Sequence, residues 1–237
     1  MNSYKKTARI VGVLFITATV AGILSVGFSG FIPDDPDYLV NVSANEIQVI
    51  IGALFELIMA AAVVGIPFMM FPIFKKHNEA LALGYVPART IEGVMVIVGA
   101  ISLLSLLTLS QEFVKAGAPD ASYFQTLGQL LLAVRDWVHV PLDVAFGLGA
   151  LMFYYLLYQS KLIPRFLSVW GLIGATLMLP GALLGMFGLL PPFSVLAIFL
   201  NLPIGVNEMF LAVWLIVKGF NPAVIASGSA KTDTNKV

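Results

Sequence analysis

Residues 166–217 read FLSVWGLIGATLMLPGALLGMFGLLPPFSVLAIFLNLPIGVNEMFLAVWLIV and carry one charged side chain, Glu208. An uncharged run of about 18 residues is long enough to cross a hydrocarbon core of about 30 Å, and this stretch is too long for a single crossing. Pro191 and Pro192 mark the break, because a proline has no backbone N–H to donate within a helix. The stretch therefore predicts two membrane spans, residues 166–190 and 193–217.

Four more apolar runs precede this stretch, at residues 10–32, 47–74, 91–111 and 137–160. Together the runs predict an all-α fold, a polytopic transmembrane bundle of six helices in a single domain over residues 1–222. Residues 122–136 predict a helix that lies at the membrane interface before the chain turns into the fourth span. Residues 223–237 are rich in Ser, Thr, Asn and Lys, which predicts a flexible cytoplasmic tail.

The composition agrees with a lipid-embedded chain. Of its 237 residues 59% are hydrophobic and 11% are charged, and the mean hydropathy is +0.95. A water-soluble domain with so few charges would lack the polar groups to cover its surface. The formal net charge is zero, which gives no electrostatic support for a nucleic-acid partner. The absence of cysteine excludes disulfides, thiolate metal sites and cysteine nucleophiles.

Basic residues fall almost entirely on one side of the six predicted spans. If the N-terminus is cytoplasmic, eleven of the 13 Lys and Arg residues lie inside, and only Lys115 and Arg135 lie outside. Cytoplasmic loops carry an excess of Lys and Arg, so the pattern predicts a plasma-membrane protein with both termini in the cytoplasm. The inner residues are Lys5, Lys6, Arg9, Lys75, Lys76, Arg89, Lys161, Arg165, Lys218, Lys231 and Lys236.

The first run leaves an alternative open. Lys5, Lys6 and Arg9 stand ahead of an apolar run, as in a signal peptide, with Gly27 and Ser29 as a poor cleavage pattern. The run is longer than a usual signal core, so we expect a retained helix. Cleavage would remove one span without reversing the others.

One group of ionisable residues lies in the outer half of the predicted bundle. Glu56 is about 13 Å from the outer end of the second span at a rise of about 1.5 Å per residue, and its small neighbours Gly52 and Ala60 let another helix approach. Arg135, His139 and Asp143 are spaced i, i+4, i+8 on one helical face. Asp136 lies beside them, and Pro141 interrupts the helix.

Buried ionisable groups are costly in hydrocarbon, so this outer group has two interpretations. The functional one is an outward-facing cavity, lined by Glu56, Arg135, Asp136, His139 and Asp143, that takes up protons, a cation or a polar solute. The structural one, which we favour for the shallow residues, is an ion pair between Arg135 and Asp136 or Asp143, with His139 in contact with water.

A second group lies in the inner half. Asn201 and Glu208 are seven residues apart and share a helical face, whereas Asn207 points elsewhere. Glu208 is about 14 Å from the inner end of the last span. It has a candidate partner in Arg89, which is spaced i, i+3 from Glu92 at the start of the third span. The alternatives are a hydrogen-bonded cluster that fixes helix order and the lining of an inner vestibule.

The sequence predicts neither a metal site nor a cofactor. Asp136, His139, Asp143 and Glu56 could be drawn as a zinc site, but zinc sites usually contain more His or Cys than this. Ser102 and Thr108 in the third span have no local His or Asp motif, and we expect them to bond to their own helix backbone. No phosphate loop, nucleotide fingerprint or haem signature occurs.

The fifth span carries a small-xxx-small spacing at Gly181 and Gly185. Such spacings allow helices to approach closely in membranes. We expect close packing within the bundle, and the alternative is a seam for a homo-oligomer.

Five segments together resemble a known family: ARIVGVLFI (8–16), ALGYVPARTIEGV (82–94), FQTLGQLLLAVRDW (124–137), LIPRFLSVWGLIGA (162–175) and NEMFLAVWLIVKGF (207–220). The chain resembles a bacterial and archaeal multi-pass membrane family catalogued as domain of unknown function 4386. The resemblance implies a prokaryotic membrane protein and brings no activity with it. By resemblance, His139, Pro141 and Asp143 depart from the family pattern. The residues that fall on the family's charged positions are Glu56, Arg89, Glu92, Arg135, Asp136 and Glu208.

Three functional hypotheses remain. The first, slightly preferred, is small-solute or ion handling in the lipid bilayer, with Glu56 and Glu208 as proton- or cation-binding groups. The second is a membrane-embedded hydrolase or transferase that uses Asp136, His139 and Asp143 beside Glu56. The third is a non-catalytic membrane component that assembles with a partner protein or with itself.

Overall fold

The computed structural model describes residues 3–30, 32, 37–117, 121–190 and 194–225. Seven helices cover most of these residues, and six of them are long and apolar enough to cross a membrane. The predicted all-α, six-span architecture is therefore confirmed. The helices are α1 (Ser3–Ser29), α2 (Tyr38–Ala44), α3 (Glu46–Phe74), α4 (Glu79–Ala116), α5 (Ala121–Ser160), α6 (Arg165–Met186) and α7 (Val195–Val217).

The six long helices form a ring. Each packs mainly on two neighbours, in the order α1, α3, α4, α5, α6, α7 and back to α1. We call the end of the bundle where α1 begins and α7 ends the near end, and the opposite end, where α1 ends and α7 begins, the far end. The short helix α2 packs on α4 at the far end.

Local signals set several helix ends. The Asn78 side chain accepts a hydrogen bond from Leu81 N (3.1 Å) at the start of α4, and Ser194 accepts one from Ala197 N (3.2 Å) at the start of α7. Such caps satisfy backbone N–H groups that have no partner within the helix. Gly117 ends α4 with φ = 65°, a left-handed conformation that glycine adopts without steric cost.

Helix α5 differs from the sequence expectation. Residues 122–136, predicted as a separate interfacial helix, are continuous with the fourth span, and the helix continues through Pro141. The predicted interruption at Pro141 was wrong, because a proline within a membrane helix is tolerated when neighbouring helices support it. The Pro191–Pro192 break and most of the predicted tail, residues 226–237, lie outside the described residues.

The near half of the ring is filled by aromatic side chains. Phe15, Phe74, Tyr85, Phe153 and Tyr154 are buried and contact one another, with ring centroids 5.2–6.1 Å apart. They come from α1, α3, α4 and α5, so a single cluster joins four of the six spans. Aromatic rings of this size bury more area than other side chains and hold the near half closed.

Small residues bring the spans together. Gly12 of α1 lies against the backbone of α7, where a Cβ atom would be 2.6 Å from the carbonyl oxygen of Ala212. On α6, Gly181 faces Leu200 of α7 in the same chain. Gly181 therefore packs closely within the bundle, as expected.

Candidate functional site

Glu56 of α3 is 8% exposed and is held by charge in the far half. Arg135 of α5 donates from Nη1 to Glu56 Oε2 (3.3 Å) and from Nη2 to Glu56 Oε1. Ser25 of α1 donates its hydroxyl to Glu56 Oε1 (3.0 Å). Two-point pairs between arginine and carboxylate are among the stronger hydrogen-bonded ion pairs, and both Glu56 oxygens are used.

The same guanidinium reaches two further helices. Arg135 Nη1 donates to the carbonyl oxygen of Gly99 on α4 (3.1 Å), and Nη2 donates to Ser29 Oγ on α1 (3.4 Å). We call Ser25, Ser29, Glu56 and Arg135 the far clamp, because their contacts join α1, α3, α4 and α5. The predicted pairing of Arg135 with Asp136 or Asp143 was wrong, because the guanidinium forms its ion pair with Glu56.

The other polar residues predicted near Arg135 do not join the far clamp. Asp136 and His139 are exposed, and Asp143 is partly exposed. Among the residues that the structure describes, no three His, Asp or Glu side chains converge as a metal-binding group. The hydrolase or transferase hypothesis therefore gains no geometric support from this set.

A second cluster occupies the near half. Arg89 and Glu92 of α4 are each 3% exposed, and Arg89 Nη1 lies 2.9 Å from Glu92 Oε2. The guanidinium stands over the ring of Phe146 on α5, 5.2 Å from its centroid. A cation over an aromatic face is stabilised by the ring quadrupole. The expected pairing of Arg89 with Glu208 was wrong, because Arg89 forms its ion pair with Glu92 of the same helix.

Glu208 of α7 approaches this pair from across the ring. Its charged atoms and those of Arg89 are more than 4.0 Å apart, yet it lies within electrostatic range of both Arg89 and Glu92. Tyr85 and Tyr154 are also within this range. We call Tyr85, Arg89, Glu92, Tyr154 and Glu208 the Arg89 cluster. Asp143 lies within electrostatic range of Glu92 at the edge of this cluster.

Charges in the Arg89 cluster do not balance. One guanidinium faces two carboxyl groups, and a third belongs to Asp143 nearby. Arg89 Nε and the Tyr154 hydroxyl are buried without a hydrogen-bond partner. Buried polar atoms are normally paired, so these two atoms are open to a hydrogen bond with a further group.

A model of the family described as "Domain of unknown function (DUF4386)" matches residues 10–219, which is most of the chain. This protein belongs to the DUF4386 family. No curated protein and no solved structure matches it. The six spans make this DUF4386 protein a multi-pass membrane protein.

The asparagines of this DUF4386 protein are placed differently from the prediction. Asn201 is exposed and donates to Ala197 O of its own helix (3.0 Å). Asn207 is fully buried and donates to Leu167 O of α6 (3.1 Å). Asn207, expected only to point elsewhere than Asn201 and Glu208, thus joins α7 to α6.

Sequence reasoning missed the hydroxyl groups at both clusters. Ser25 and Ser29 belong to the far clamp, Tyr154 belongs to the Arg89 cluster, and Ser102 bonds across to Leu131 O of α5 (2.6 Å). The prediction that Ser102 bonds within its own helix was wrong, whereas Thr108 does so, to Leu104 O (3.1 Å). Ser25 and Ser29 are spaced i, i+4 on an otherwise apolar helix, a signal that could have been noticed.

A separate cavity of about 340 Å³ opens at the far end beside α2. Tyr38, Phe113, Gln125 and Gln129 contribute to its walls. None of its lining residues belongs to the far clamp or to the Arg89 cluster. The cavity therefore lies apart from the buried charges.

Proposed function

We propose that this protein carries a proton or a small cation across the membrane, with Glu208 as the group that binds it. The proposal rests on one observation, the excess of carboxyl groups over Arg89 inside the membrane. The substrate class, small solute or ion, follows the first hypothesis from the sequence. That hypothesis assigned ion binding to Glu56 and Glu208. The present proposal keeps Glu208 as the binding group and replaces Glu56 with Glu92.

The electrostatic argument is one of charge balance. An ionised carboxylate at the centre of a membrane helix costs on the order of 3 kcal/mol even on insertion scales. Arg89 compensates one such charge, and its contact at 2.9 Å is with Glu92. The charge of Glu208 is then neutralised most simply by a proton or a cation that binds reversibly. Its partly exposed side chain gives such an ion access.

Arg89 is suited to couple binding with release. It pairs with Glu92, lies within electrostatic range of Glu208 and stands over the ring of Phe146. When the ion leaves Glu208, the guanidinium can share its charge with that carboxylate. When the ion returns, Arg89 relaxes towards Glu92. This exchange keeps the buried charge nearly constant over the cycle.

Glu56 has a different role in this proposal. Both its oxygens accept hydrogen bonds from Arg135 or Ser25, so binding an ion there would require breaking an ion pair. A buried pair that loses one partner leaves an uncompensated charge. The far clamp therefore holds the far half of the bundle together.

We further propose a prokaryotic plasma membrane as the location, with the near end facing the cytoplasm. Eight basic residues in the described part of the chain flank the near end: Lys5, Lys6, Arg9, Lys75, Lys76, Lys161, Arg165 and Lys218. The far end has Lys115, which pairs with Glu112. This asymmetry supports the orientation by the positive-inside rule.

Self-association through α6 is a weaker second proposal. Gly181 already packs on Leu200 of the same chain, so a dimer seam would need another face of the helix. We expect Gly185→Leu to disrupt this assembly, and equal assembly of wild type and Gly185→Leu would contradict the proposal.

Proteoliposomes test the transport proposal. Purified protein is reconstituted around a pH-sensitive dye, a potassium diffusion potential is imposed, and proton entry is recorded for wild type, Glu208→Gln and Glu112→Gln. We expect Glu208→Gln to reduce entry to the rate of empty vesicles. Glu112→Gln alters an exposed ion pair and serves as the matched control. If sodium or potassium flux is also independent of Glu208, the proposal is wrong.

A further inference from the structure

Accessibility changes with depth along one face of α5. His139, Asp143, Phe146, Ala150, Phe153 and Leu157 follow one another at helical spacing and so lie on one stripe. His139 is exposed, Asp143 and Phe146 are partly exposed, and Ala150, Phe153 and Leu157 are at most 3% exposed. The same stripe is therefore open towards the far end and closed towards the near end.

This stripe points into the ring. Arg135, one turn before His139, reaches Glu56 of α3 and Gly99 of α4, and Phe153 contacts Phe15 of α1 and Phe74 of α3. Both ends of the stripe thus face other helices. Exposure at His139 and Asp143 in between marks a gap inside the bundle. It extends about 10 Å from His139 to Phe146 at the helical rise.

Helix α7 shows the same gradient. Asn201 and Gly205 are exposed and Glu208 is partly exposed, whereas Ala212 and Leu215 are at most 1% exposed. No atom lies within 4 Å of where a Cβ atom on Gly205 would be. Both gradients end at the level of the Arg89 cluster, so the gap has Glu208 at its floor.

We propose that this gap is a water-accessible crevice between α5 and α7 that admits a small organic ammonium ion to Glu208. The proposal rests on the proposed function and names its substrate class. We call the gap the α5–α7 crevice, with walls of His139, Asp143, Asn201 and Gly205. Glu208 and the unpartnered Tyr154 hydroxyl lie at its floor.

The chemistry of the floor selects a cation with N–H groups. Carboxylates of Glu208 and Asp143 attract positive charge, and the Tyr154 hydroxyl, which is buried and without a partner, can accept a hydrogen bond from an ammonium group. An anion would be repelled by the carboxyl groups of Asp143 and Glu208.

An organic ammonium ion also fits better than a metal ion. A metal needs several ligand atoms at one point, and in the described part of the chain no three acidic or histidine side chains are so grouped. An ammonium group instead binds through charge-assisted N–H hydrogen bonds, which need few acceptor atoms. The ammonium ion needs one carboxylate and a hydroxyl, which Glu208 and Tyr154 supply.

Cysteine labelling tests the α5–α7 crevice without an activity assay, because the chain has no native cysteine. Gly205→Cys is placed in the crevice, and Ile101→Cys, at an exposed position in the middle of α4, faces lipid as the control. In lipid nanodiscs each thiolate attacks a methanethiosulfonate, forming a mixed disulfide and releasing methanesulfinate. The probes are the cationic trimethylammonioethyl reagent and the anionic sulfonatoethyl reagent.

We expect Gly205→Cys to react with the cationic reagent roughly tenfold faster than with the anionic one, because the acidic floor concentrates cations. Ile101→Cys stays unmodified, since a thiol in lipid remains protonated. Propylammonium at saturating concentration slows modification of Gly205→Cys, whereas propanol does not. The added substitution Glu208→Gln removes both the charge preference and the protection.

The outcomes separate the two proposals. Modification of Gly205→Cys no faster than of Ile101→Cys, or protection that is absent or unchanged by Glu208→Gln, overturns the crevice and its ammonium ligand. If proton flux still depends on Glu208 in that case, the proposed function stands alone. Protection by propylammonium without any Glu208-dependent flux leaves a binding site and overturns transport.

Discussion

Arg135 of α5 donates from both terminal nitrogens to the two carboxylate oxygens of Glu56 on α3. The pair is 22% and 10% exposed at its side chains, and the Ser25 and Ser29 hydroxyls complete its hydrogen bonds. One charged contact thus fixes the far ends of four spans. The Arg89 cluster, with its excess of carboxyl groups, lacks this balance. The two clusters therefore have different roles.

Loss of Arg135 should destabilise the bundle. We expect Arg135→Ala to lower the free energy of unfolding by about 3 kcal/mol, because it leaves the Glu56 carboxylate buried without a counter-charge. Arg135→Ala combined with Glu56→Ala should cost less than the sum of the single changes. Reversible unfolding in mixed detergent and dodecyl sulfate micelles measures all three.

The exposed pair of Glu112 and Lys115 is the control for this measurement. Its side chains are 59% and 70% exposed, and exposed ion pairs contribute little to stability. Lys115→Ala should therefore unfold as the wild type does. An equal effect of Arg135→Ala and Lys115→Ala would show that the far clamp does not stabilise the bundle.

Close packing of α1 on α7 gives a second prediction. A Cβ atom on Gly12 would lie 2.6 Å from the Ala212 carbonyl oxygen and 2.7 Å from Ile216 Cγ1, and backbone cannot move aside cheaply. Gly12→Ala should lower the free energy of unfolding by about 1–3 kcal/mol. A Cβ atom on Gly27 of the same helix would have no atom within 4 Å. Gly27→Ala should therefore leave the free energy of unfolding equal to that of the wild type or raise it. Equal loss in both variants would contradict the close approach.

Tyr38 gives a prediction for alkaline pH. Burial raises the pKa of Tyr38 above its ordinary value of 10.0, against the opposing effect of a hydrogen bond with Gln129. Its hydroxyl also donates to Gln125 O of α5 (3.3 Å), which attaches α2 to the bundle. As the pH rises, the unfolded phenol loses its proton before the folded one does. The stability that Tyr38 contributes is therefore present below pH 10 and is lost as the pH rises from 10 through the higher pKa of the folded protein.

The phenolate absorbance of wild type minus that of Tyr38→Phe measures this titration. We expect a midpoint above the ordinary value, and a smaller alkaline loss of stability in Tyr38→Phe than in wild type. A midpoint at or below 10.0 would contradict the buried placement of Tyr38.

The spans could be predicted from the sequence because hydropathy is a local property of the chain. The run 47–74 agrees with α3 (Glu46–Phe74), and Arg89 and Glu92, which are spaced i, i+3, are in contact within α4. Both depend only on neighbours along one helix. Helical spacing and composition are sufficient for such features.

Contacts between helices could not be predicted in this way. Arg135 finds its partner 79 residues away, while the spacing within α5 offered only Asp136 and Asp143. Periodicity placed Asn207 on a different face from Glu208 but did not show which face is buried. Both faces of α7 are apolar apart from these residues, so the choice depends on how α6 and α7 pack.

Labelling with dicyclohexylcarbodiimide tests the central claim most directly. This apolar reagent adds the O–H of a protonated carboxyl group across its C=N bond, and the product rearranges to a stable N-acylurea that mass spectrometry assigns to a residue. Protein in nanodiscs is treated with and without propylammonium. We predict an adduct on Glu208 that propylammonium reduces, and none on Glu56, both of whose oxygens accept hydrogen bonds from Arg135 or Ser25. An adduct on Glu56 with none on Glu208 would contradict the assignment of Glu208 as the ion-binding group.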